Sequence, residues 1–314
     1  MQNPFQLEIA DPNARRVIIA ANPHSGAFDR RVLIEQLVEH LEARDYEVEL
    51  MGDIDSICQK ASLWQESGAL RAVVAAGGDG TAALLVNRLP AAVPLVIFPL
   101  GTANLFAKYL KIGRQVKQIA EIIEAGQTVR LDAGLANGQL FLVVASCGFD
   151  AEVVRKLHKT RKGHISYLSY LTPILRAVWK YEYPKLSITM DGDRRMETAR
   201  WAFVQNVPRY AMNLSLAHRA SPFDGELDIC TFRSGGLITG LYYFLTSFFK
   251  VHHRMSVSRF ARFKSMTITS EGAGHYQVDG DPGGQLPLTI EVVPQRLRVM
   301  VPKKWLKAHG DLQA

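Results

Sequence analysis

The feature that most constrains this fold is a regular alternation of short apolar strands and helices over the first 126 residues. The segment 72–76 contains only apolar residues, as expected for a parallel strand that is covered on both faces. Apolar residues spaced three and four apart predict a helix over Asp29–Ala43. Further helices are predicted over Asp55–Ser67, after the sequence GGDG as far as Leu89, from Thr102 and over Arg114–Ala125. This alternation predicts an α/β domain with a parallel sheet and right-handed crossovers over residues 1–126.

From about Gln127 the pattern changes to short strands that are separated by turns. The turn pairs are Asn137-Gly138, Asp191-Gly192 and Asp279-Gly280, which are typical of tight β-hairpins. The pattern predicts a mostly antiparallel β-sandwich or barrel-like domain over residues 127–302. Two helical stretches are expected to interrupt it, near Ala151–Leu175 and Leu237–Lys250. The tail 303–314 is expected to pack back on the first domain.

Composition narrows the class of protein. Of the 314 residues, 47% are hydrophobic and 21% charged, as in a globular protein, and the net charge of +7 favours an anionic partner such as a nucleotide, a nucleic acid or an acidic membrane surface. Cys58, Cys147 and Cys230 are scattered, which argues against a zinc site or a disulfide framework and for a reducing compartment. The most apolar run, Gly235–Lys250, is shorter than the roughly 20 residues that a spanning helix needs. We therefore expect a cytoplasmic protein without a transmembrane segment.

Glycine-rich sequences follow three of the predicted parallel strands. They are NPHSG at 22–26, GGDGT at 77–81 and PLGTAN at 99–104. Ligands of parallel sheets lie outside the carboxyl ends of the strands, where glycines let backbone N–H groups approach a phosphate and the next helix offers its positive end. Asp79 would then serve a Mg²⁺ ion or accept a proton from a hydroxyl. The alternative is an ordinary turn in which Asp79 only caps a helix.

These loops, in this order and at these distances, resemble the catalytic domain of the diacylglycerol kinase family, which includes sphingosine and ceramide kinases. The resemblance continues through ASCGFDAEVV at 145–154, SPFDGELDIC at 221–230 and VDGDP at 278–282, so that it extends from about Arg16 to Pro302. It implies a kinase that uses ATP and Mg²⁺ to phosphorylate the hydroxyl of a membrane lipid such as diacylglycerol or ceramide. The resemblance also implies a nucleotide that lies in the cleft between an α/β domain and a β-sandwich domain.

The resemblance also implies roles for particular residues. The nucleotide-binding residues would be Asn22, Ser25, Gly26, Gly77, Gly78, Asp79, Gly80, Thr81, Thr102 and Asn104. Asp224 would hold a structural Mg²⁺ through its side chain, with backbone carbonyls near Ser221 and Glu226 completing the site. A plain hairpin turn is the alternative for Asp224-Gly225.

The general base has two candidates. The family's usual DGE sequence is DGD here, so that Asp281 stands in place of the glutamate that is the proposed base of bacterial members. Asp281 keeps the carboxylate on a side chain that is one methylene shorter. Asp79 is the competing base, because sphingosine kinases are thought to use the aspartate of this loop. Two further departures are Leu105, where the family often has Asp, and the sequence RYAMN at 209–213 in place of a glycine-rich stretch.

A basic cluster beside an apolar segment suggests how the protein reaches a lipid. Its cations are Arg155, Lys156, Lys159, Arg161 and Lys162, and the apolar, aromatic sequence ISYLSYLTPIL follows at 165–175. Such a pair of segments fits docking on an anionic membrane surface, and a solvated charged face is the alternative. We expect a peripheral protein at the inner face of the membrane that acts on a lipid rather than a nucleic acid, with a homodimer as a further expectation.

Two other functions remain open on the sequence alone. NAD kinases share the GGDG sequence and the two-domain plan, but DGELD, VDGDP and the basic cluster argue against that function. The second alternative is a non-catalytic nucleotide or lipid sensor on the same fold, made inert by the change from Glu to Asp at Asp281. The sequence does not distinguish among diacylglycerol, ceramide and other long-chain alcohols as the substrate.

Overall fold

The computed structural model describes residues 5–21, 28–160, 182–192, 194–208, 216–217, 219–236, 239, 242–243, 245–246 and 258–310. Two compact units make up the chain. Unit 1 comprises Met1–Asp132 and Pro294–Ala314, and unit 2 comprises Ala133–Val293. The chain passes from the first unit to the second within strand β6, Gln127–Ala136.

Unit 1 contains the predicted parallel sheet. Its strands are β2 (Arg16–Ala20), β3 (Glu47–Met51), β4 (Leu70–Gly77) and β5 (Pro94–Pro99), in the order β5-β4-β2-β3. Every pairing along this order is parallel. Strand β4 is buried along nearly its whole length, which explains the apolar sequence from Ala72 to Ala76. A short strand, β1 (Leu7–Ile9), pairs antiparallel with the start of β6.

The helices of unit 1 lie close to their predicted positions. They are α1 (Phe28–Glu42), α2 (Ile54–Glu66), α3 (Asp79–Arg88), α4 (Leu105–Tyr109) and α5 (Val116–Ala125). Asp53 caps α2 by accepting the N–H of Ser56 at 2.8 Å, and Gly126 ends α5 in the left-handed conformation. These local signals explain why the ends of α2 and α5 could be predicted to within two residues, whereas α4 starts three residues after its predicted start at Thr102.

Unit 2 is built from two antiparallel sheets. One has the order β10-β9-β14-β17 and the other the order β13-β12-β11-β8-β15-β16, while β6 and β7 form a hairpin. The strands are β7 (Gln139–Phe141), β8 (Val144–Cys147), β9 (Leu186–Met190), β10 (Arg194–Ala199), β11 (Trp201–Gln205), β12 (Leu227–Phe232), β13 (Ser258–Phe263), β14 (Ser265–Ser270), β15 (His275–Val278), β16 (Asp281–Gln285) and β17 (Leu288–Met300). A shared apolar core includes Ile188 and Met266 from the first sheet and Val204 and Ile229 from the second. The antiparallel sandwich is therefore confirmed.

The three predicted hairpin turns are confirmed in detail. Asn137-Gly138, Asp191-Gly192 and Asp279-Gly280 each have positive φ at both residues, as the tight hairpin turn requires. The helical stretch predicted over Ala151–Leu175 begins as α6, Phe149–Thr160, and its remainder lies outside the described residues. Most of the stretch Leu237–Lys250 also lies outside them, but Tyr242 and Tyr243 are helical.

The sequence misplaced one strand. The apolar segments LTIEVVP at 288–294 and RLRVMVP at 296–302 predict one strand before and one strand after Gln295, whereas β17 is a single strand that runs through Pro294 without a break. The paired residues of β17 with β14 end at Glu291, and those with β5 begin at Arg298, so the proline lies where its missing N–H removes no bond of either ladder. Gln295 adopts a positive φ of 51°, and its N–H donates to the buried Asp132 carboxylate at 2.8 Å.

The C-terminal helix α7, Lys303–Gly310, belongs to unit 1. Its Trp305 is fully buried and packs its ring against Phe5 and Tyr109, with centroid separations of 5.5 and 6.2 Å. Of the helices in the described ranges, none is long and apolar enough to cross a membrane.

Candidate functional site

The first part of the candidate site is the loop between β4 and α3 in unit 1. Helix α3 begins at Asp79, and its N-cap residue, Gly78, receives no side-chain cap among the described residues. The first N–H groups of a helix lack partners within the helix, so this end carries free donors and a partial positive charge. A Cβ atom on Gly77 would lie 2.2 Å from Thr81 Oγ1, which explains the glycine there. The loop can therefore hold an anion, as the glycine pattern predicts.

The loop between β5 and α4 lies directly against the first loop. A Cβ atom on Gly101 would lie 2.4 Å from the Cα of Gly78, so the two backbones touch where both residues are glycine. The N–H groups of Leu100 and Gly101 both donate to the Gly77 carbonyl, at 2.8 and 3.1 Å. GGDGT and PLGTAN thus form one structure rather than two separate turns.

Asp79 joins the two loops through its side chain. One carboxylate oxygen accepts the N–H of Leu105 at 3.0 Å, and the other accepts the N–H of Phe106 at 3.1 Å. The carboxylate therefore caps α4, a helix that is remote in sequence, rather than the start of its own helix. Each carboxylate oxygen keeps a further lone pair, so Asp79 can still bind a metal ion. As a general base, however, Asp79 would have to accept a proton on an oxygen that already accepts a backbone N–H.

Asn104 shapes the end of the second loop. It adopts the left-handed conformation with φ 48°, and it is 7% exposed. Its side chain accepts the N–H of Gly101 at 3.1 Å and donates to the Gly101 carbonyl at 2.7 Å. Thr102, between them, is exposed and free to meet a ligand. Asn104 thus holds the loop in shape, while Thr102 has the exposure that nucleotide contact needs.

Sequence reasoning missed Arg114, which closes this loop from outside. Its Nε donates to the Pro99 carbonyl at 3.1 Å, and another guanidinium nitrogen donates to the Gly101 carbonyl. A guanidinium bound to neutral carbonyls keeps its full positive charge beside the loop, which would favour an anionic ligand. No local motif announces this role, because the contact joins residues 13 and 15 positions apart.

The predicted base Asp281 lies in unit 2, as the first residue of β16. Its side chain is 51% exposed, and its Oδ1 lies 3.9 Å from His158 Nδ1. The turn before it is anchored by Asp279, whose carboxylate accepts the N–H groups of Leu142, Val143 and Val144 at 2.7 to 2.9 Å. The sequence predicted the Asp279-Gly280 turn but not that the Asp279 carboxylate would anchor it to the backbone at 142–144. The result is an accessible carboxylate on a firmly held turn.

The DGELD turn, also in unit 2, carries an excess of negative charge. Asp224 accepts the N–H of Glu226 at 3.2 Å, and Arg262 lies 3.5 Å from the Asp224 carboxylate and 3.2 Å from that of Glu226. Asp228 is 8% exposed, and its Oδ2 has no hydrogen-bond partner among the described residues. Burial raises the pKa of Asp228 to about 6, and the Arg262 charge only partly offsets this.

These residues fit a divalent cation. Oxygen ligands on a surface turn suit Mg²⁺, and a cation at the Asp224 carboxylate would offset the negative charge of this turn. No group of three or more His, Cys, Asp and Glu side chains in the described ranges has the geometry of a metal site. The predicted site combines one side chain, that of Asp224, with the carbonyls near Ser221 and Glu226, so it stays a prediction.

Two cations of the basic cluster have a structural partner. Arg155 donates two hydrogen bonds to Glu152, at 2.8 and 2.7 Å, and Lys156 lies 3.4 Å from the same carboxylate. Glu152 is almost buried. Burial raises its pKa, but the bonds and charges of Arg155 and Lys156 outweigh burial and lower the pKa overall. Arg155 and Lys156 therefore stabilise α6 through pairs within the helix, in addition to any contact with a membrane.

Several predicted residues cannot be placed. Asn22, Ser25, Gly26, Arg161 and Lys162 lie outside the described residues, as does the side chain of Lys159. Of the predicted nucleotide-binding set, the structure brings together those of the two loops after β4 and β5.

The parallel sheet and the two glycine loops at its strand ends define a protein with an anion-binding site. Comparison with known proteins identifies the family. Residues 16–136 match the family model described as the diacylglycerol kinase catalytic domain. Residues 143–301 match the model described as the YegS C-terminal NAD kinase beta sandwich-like domain. The chain belongs to the bacterial diacylglycerol kinase-like family of lipid kinases.

Individual proteins are similar to this chain in sequence or in structure. A Staphylococcus haemolyticus protein named "Putative lipid kinase SH2167" is 24% identical over 258 residues, which are 79% of this chain and 82% of the relative. An uncharacterized Synechocystis protein, sll0036, is 28% identical over 73% of this chain, which spans only 54% of that relative's length. The crystal structure of "a putative diacylglycerol kinase" from Bacillus anthracis has a TM-score of 0.71 and 22% identity, covering 92% of this chain and 98% of that one. This last likeness shows the fold.

Proposed function

We propose that this protein is an ATP-dependent kinase that phosphorylates the hydroxyl of a membrane lipid such as diacylglycerol or ceramide. The observation that carries the proposal is the pair of glycine loops after β4 and β5, which pack at Gly78 and Gly101 and are joined by the Asp79 carboxylate. In this arrangement the N–H groups of Asp79 and Gly80, at the start of α3, would be donors for phosphate oxygens, while that of Thr81 donates to the Gly78 carbonyl at 3.1 Å. Membership of the family supports a kinase activity. The DGELD and VDGDP sequences of this chain, both in unit 2, support a lipid rather than NAD as the substrate.

Different residues would bind the phosphates, contact the nucleotide and accept the proton. The amides at Gly78, Asp79 and Gly80 would hold the phosphates, and Thr102 would contact the nucleotide. Asp281 would accept the proton as the lipid oxygen forms its bond to the γ-phosphorus and the bond from that phosphorus to ADP breaks. Mg²⁺ bound with ATP would neutralise charge at the phosphates, and the Asp79 carboxylate, in the loop after β4, would serve it. A second Mg²⁺ at Asp224 would have a structural duty.

The proposal includes a membrane surface as partner. The lipid substrate resides there, and the cluster 155–162 carries five cations. Glu152 already pairs with Arg155 and Lys156, so docking would depend chiefly on Lys159, Arg161 and Lys162. We propose a peripheral protein at the inner face of the membrane.

An assay with several acceptors tests the proposed function. The purified protein is incubated with γ-labelled ATP, Mg²⁺ and mixed micelles that contain diacylglycerol, ceramide or another long-chain alcohol, and parallel reactions contain NAD instead. Labelled phospholipid in the wild type, and its loss in Asp281→Asn, is the expected result. Labelled NADP would support the NAD kinase alternative. ATP binding without transfer to any acceptor would support a sensor.

A further inference from the structure

The side chain of Gln277, on β15, is bound at both ends inside unit 2. Its Nε2 donates to Ser146 Oγ at 2.9 Å and to Asp150 Oδ2 at 3.2 Å, and its Oε1 accepts the N–H of Gly280 at 2.7 Å. Gln277 and Ser146 are each 1% exposed. Ser146 also donates to Asp150, so this buried network has consistent donors and acceptors.

The chemistry of the partners fixes the orientation of the amide. An ionised Asp150 carboxylate can only accept, and the Gly280 N–H can only donate. The Gln277 nitrogen must therefore face Asp150, and its oxygen must face Gly280. Of the common side chains, a carboxamide of this length offers a donor and an acceptor at once. A carboxylate in its place would meet Gly280 correctly but would repel Asp150.

Gly280 is the residue directly before Asp281, the proposed base. The turn that leads to it has positive φ at both residues, 48° at Asp279 and 90° at Gly280. The Asp279 carboxylate fixes the first residue of this turn through the amides at 142–144. Gln277 fixes the second residue. The Asp279–Gly280 peptide, which lies one residue before Asp281, is therefore held through its N–H by the Gln277 side chain.

We propose that Gln277 is a positioning residue for Asp281, which it aims by holding the Gly280 amide. This inference rests on the proposed function. A displacement of a catalytic group by about 1 Å can cost roughly 100-fold in rate, so loss of this bond lowers turnover without touching the nucleotide loops. Gln277 itself does not contact the reacting atoms.

The test compares two substitutions with a matched control. Gln277→Glu keeps the shape but presents an anion to Asp150, and Gln277→Met keeps the volume but loses every hydrogen bond. Asn137→Gly is the control, because the Asn137 amide also holds a turn of unit 2, through Pro287 at 3.1 Å and Thr289 at 2.9 Å, and glycine accepts the positive φ there. The readouts are kcat, KM for Mg·ATP, the pH profile, and hydrogen exchange of the Gly280 amide.

The expected result is a kcat that falls by about 10- to 100-fold in both Gln277 variants, with KM for Mg·ATP unchanged and faster exchange at Gly280. Gln277→Glu should regain activity as the pH falls, because a protonated carboxyl can again donate towards Asp150. Asn137→Gly should lower Tm without changing kcat.

Normal kcat and normal Gly280 exchange in both Gln277 variants would overturn this inference while leaving the proposed function standing. A kcat loss in Asn137→Gly equal to that in the Gln277 variants would also overturn it, because the effect would then be one of general stability. If one Gln277 variant does not fold, the other carries the test. A wild type that phosphorylates no lipid would overturn the proposed function, and this inference with it.

Discussion

The carboxylate of Asp79 accepts the backbone N–H of Phe106 at 3.1 Å, across 27 positions of sequence. Together with the hydrogen bond from the Leu105 N–H, this contact ties the glycine loop to the start of α4. Asp79 therefore has a structural duty that its position in GGDGT does not disclose. The contact also bears on the choice between two candidate bases, since both Asp79 oxygens are engaged whereas the Asp281 side chain is half exposed.

Substitution of Gly78 tests whether this loop holds phosphates. A Cβ atom there would lie 3.4 Å from Gly101 Cα, an ordinary contact, so side chains can be accommodated. Asp and Asn cap helices about equally well, and Gly78→Asp and Gly78→Asn should therefore have similar Tm values. Only Gly78→Asp places a negative charge against the phosphates. We expect it to lose ATP binding, measured by calorimetry, by a much larger factor than Gly78→Asn. Equal affinities in the two variants would contradict the assignment.

Local sequence signals predicted most of the fold, because each acts over a few residues. The Asn-Gly and Asp-Gly pairs at 137–138, 191–192 and 279–280 adopt positive φ values between strands, as a tight hairpin turn requires, and the apolar run of β4 needs a covered parallel strand. What the sequence missed depends on contacts between distant segments. The continuity of β17 through Pro294 depends on where its pairing with β14 ends and its pairing with β5 begins. The capping by Asp79 and the clamp by Arg114 likewise depend on loops that meet only in the folded unit.

Asp224 is predicted to organise a structural Mg²⁺. An ion that binds only the folded state raises stability, by about 2.7 kcal/mol at 100 times its dissociation constant. The wild type, without nucleotide, should therefore show a Tm that rises by several degrees as Mg²⁺ replaces EDTA, and Asp224→Ala should abolish this rise. Glu35→Ala is the control, because Glu35 also pairs with an arginine, Arg31 at 2.9 Å, but lies in α1. An identical Mg²⁺ response in wild type and Asp224→Ala would refute the site.

Asp228 should make stability fall as the pH rises. Burial raises its folded pKa from 3.8 to about 6, so between these values the native state binds the proton more tightly than the unfolded chain. The cost of ionising Asp228 is absent below about pH 4 and complete above about pH 6. At pH 7.5, Asp228→Asn should therefore raise Tm and increase the free energy of unfolding by on the order of 1 to 2 kcal/mol. At pH 4 the same substitution should leave both nearly unchanged. Calorimetric melting in EDTA measures this, and a gain that is the same at both pH values would exclude Asp228 as its source.

The basic cluster tests the membrane proposal. Arg155 and Lys156 should be left in place, because their removal would strand the buried Glu152 carboxylate. The triple change of Lys159, Arg161 and Lys162 to Gln should weaken the free energy of binding to phosphatidylglycerol vesicles by about 1 kcal/mol per charge, as measured by co-sedimentation. Changing Lys303, Lys304 and Lys307 of α7 to Gln removes the same charge elsewhere and is the matched control. If both triple variants lose the same vesicle affinity, the net charge of the protein and not this cluster drives binding.

The last prediction concerns the general base. A lipid hydroxyl has a pKa far above neutrality, so a carboxylate within hydrogen-bond reach must accept its proton. Asp281→Asn should lower turnover by roughly 10²- to 10⁴-fold with ATP affinity unchanged, and Asp281→Glu, which restores the usual residue of the family, should keep a carboxylate and much of the activity. Asp79→Asn should weaken Mg·ATP binding as well as turnover, and should lower Tm, because one of its two bonds to α4 loses its acceptor. Turnover and calorimetric ATP binding of the three variants decide the matter. If Asp281→Asn turns over normally and Asp79→Asn is inactive with normal Mg·ATP binding, Asp79 is the base.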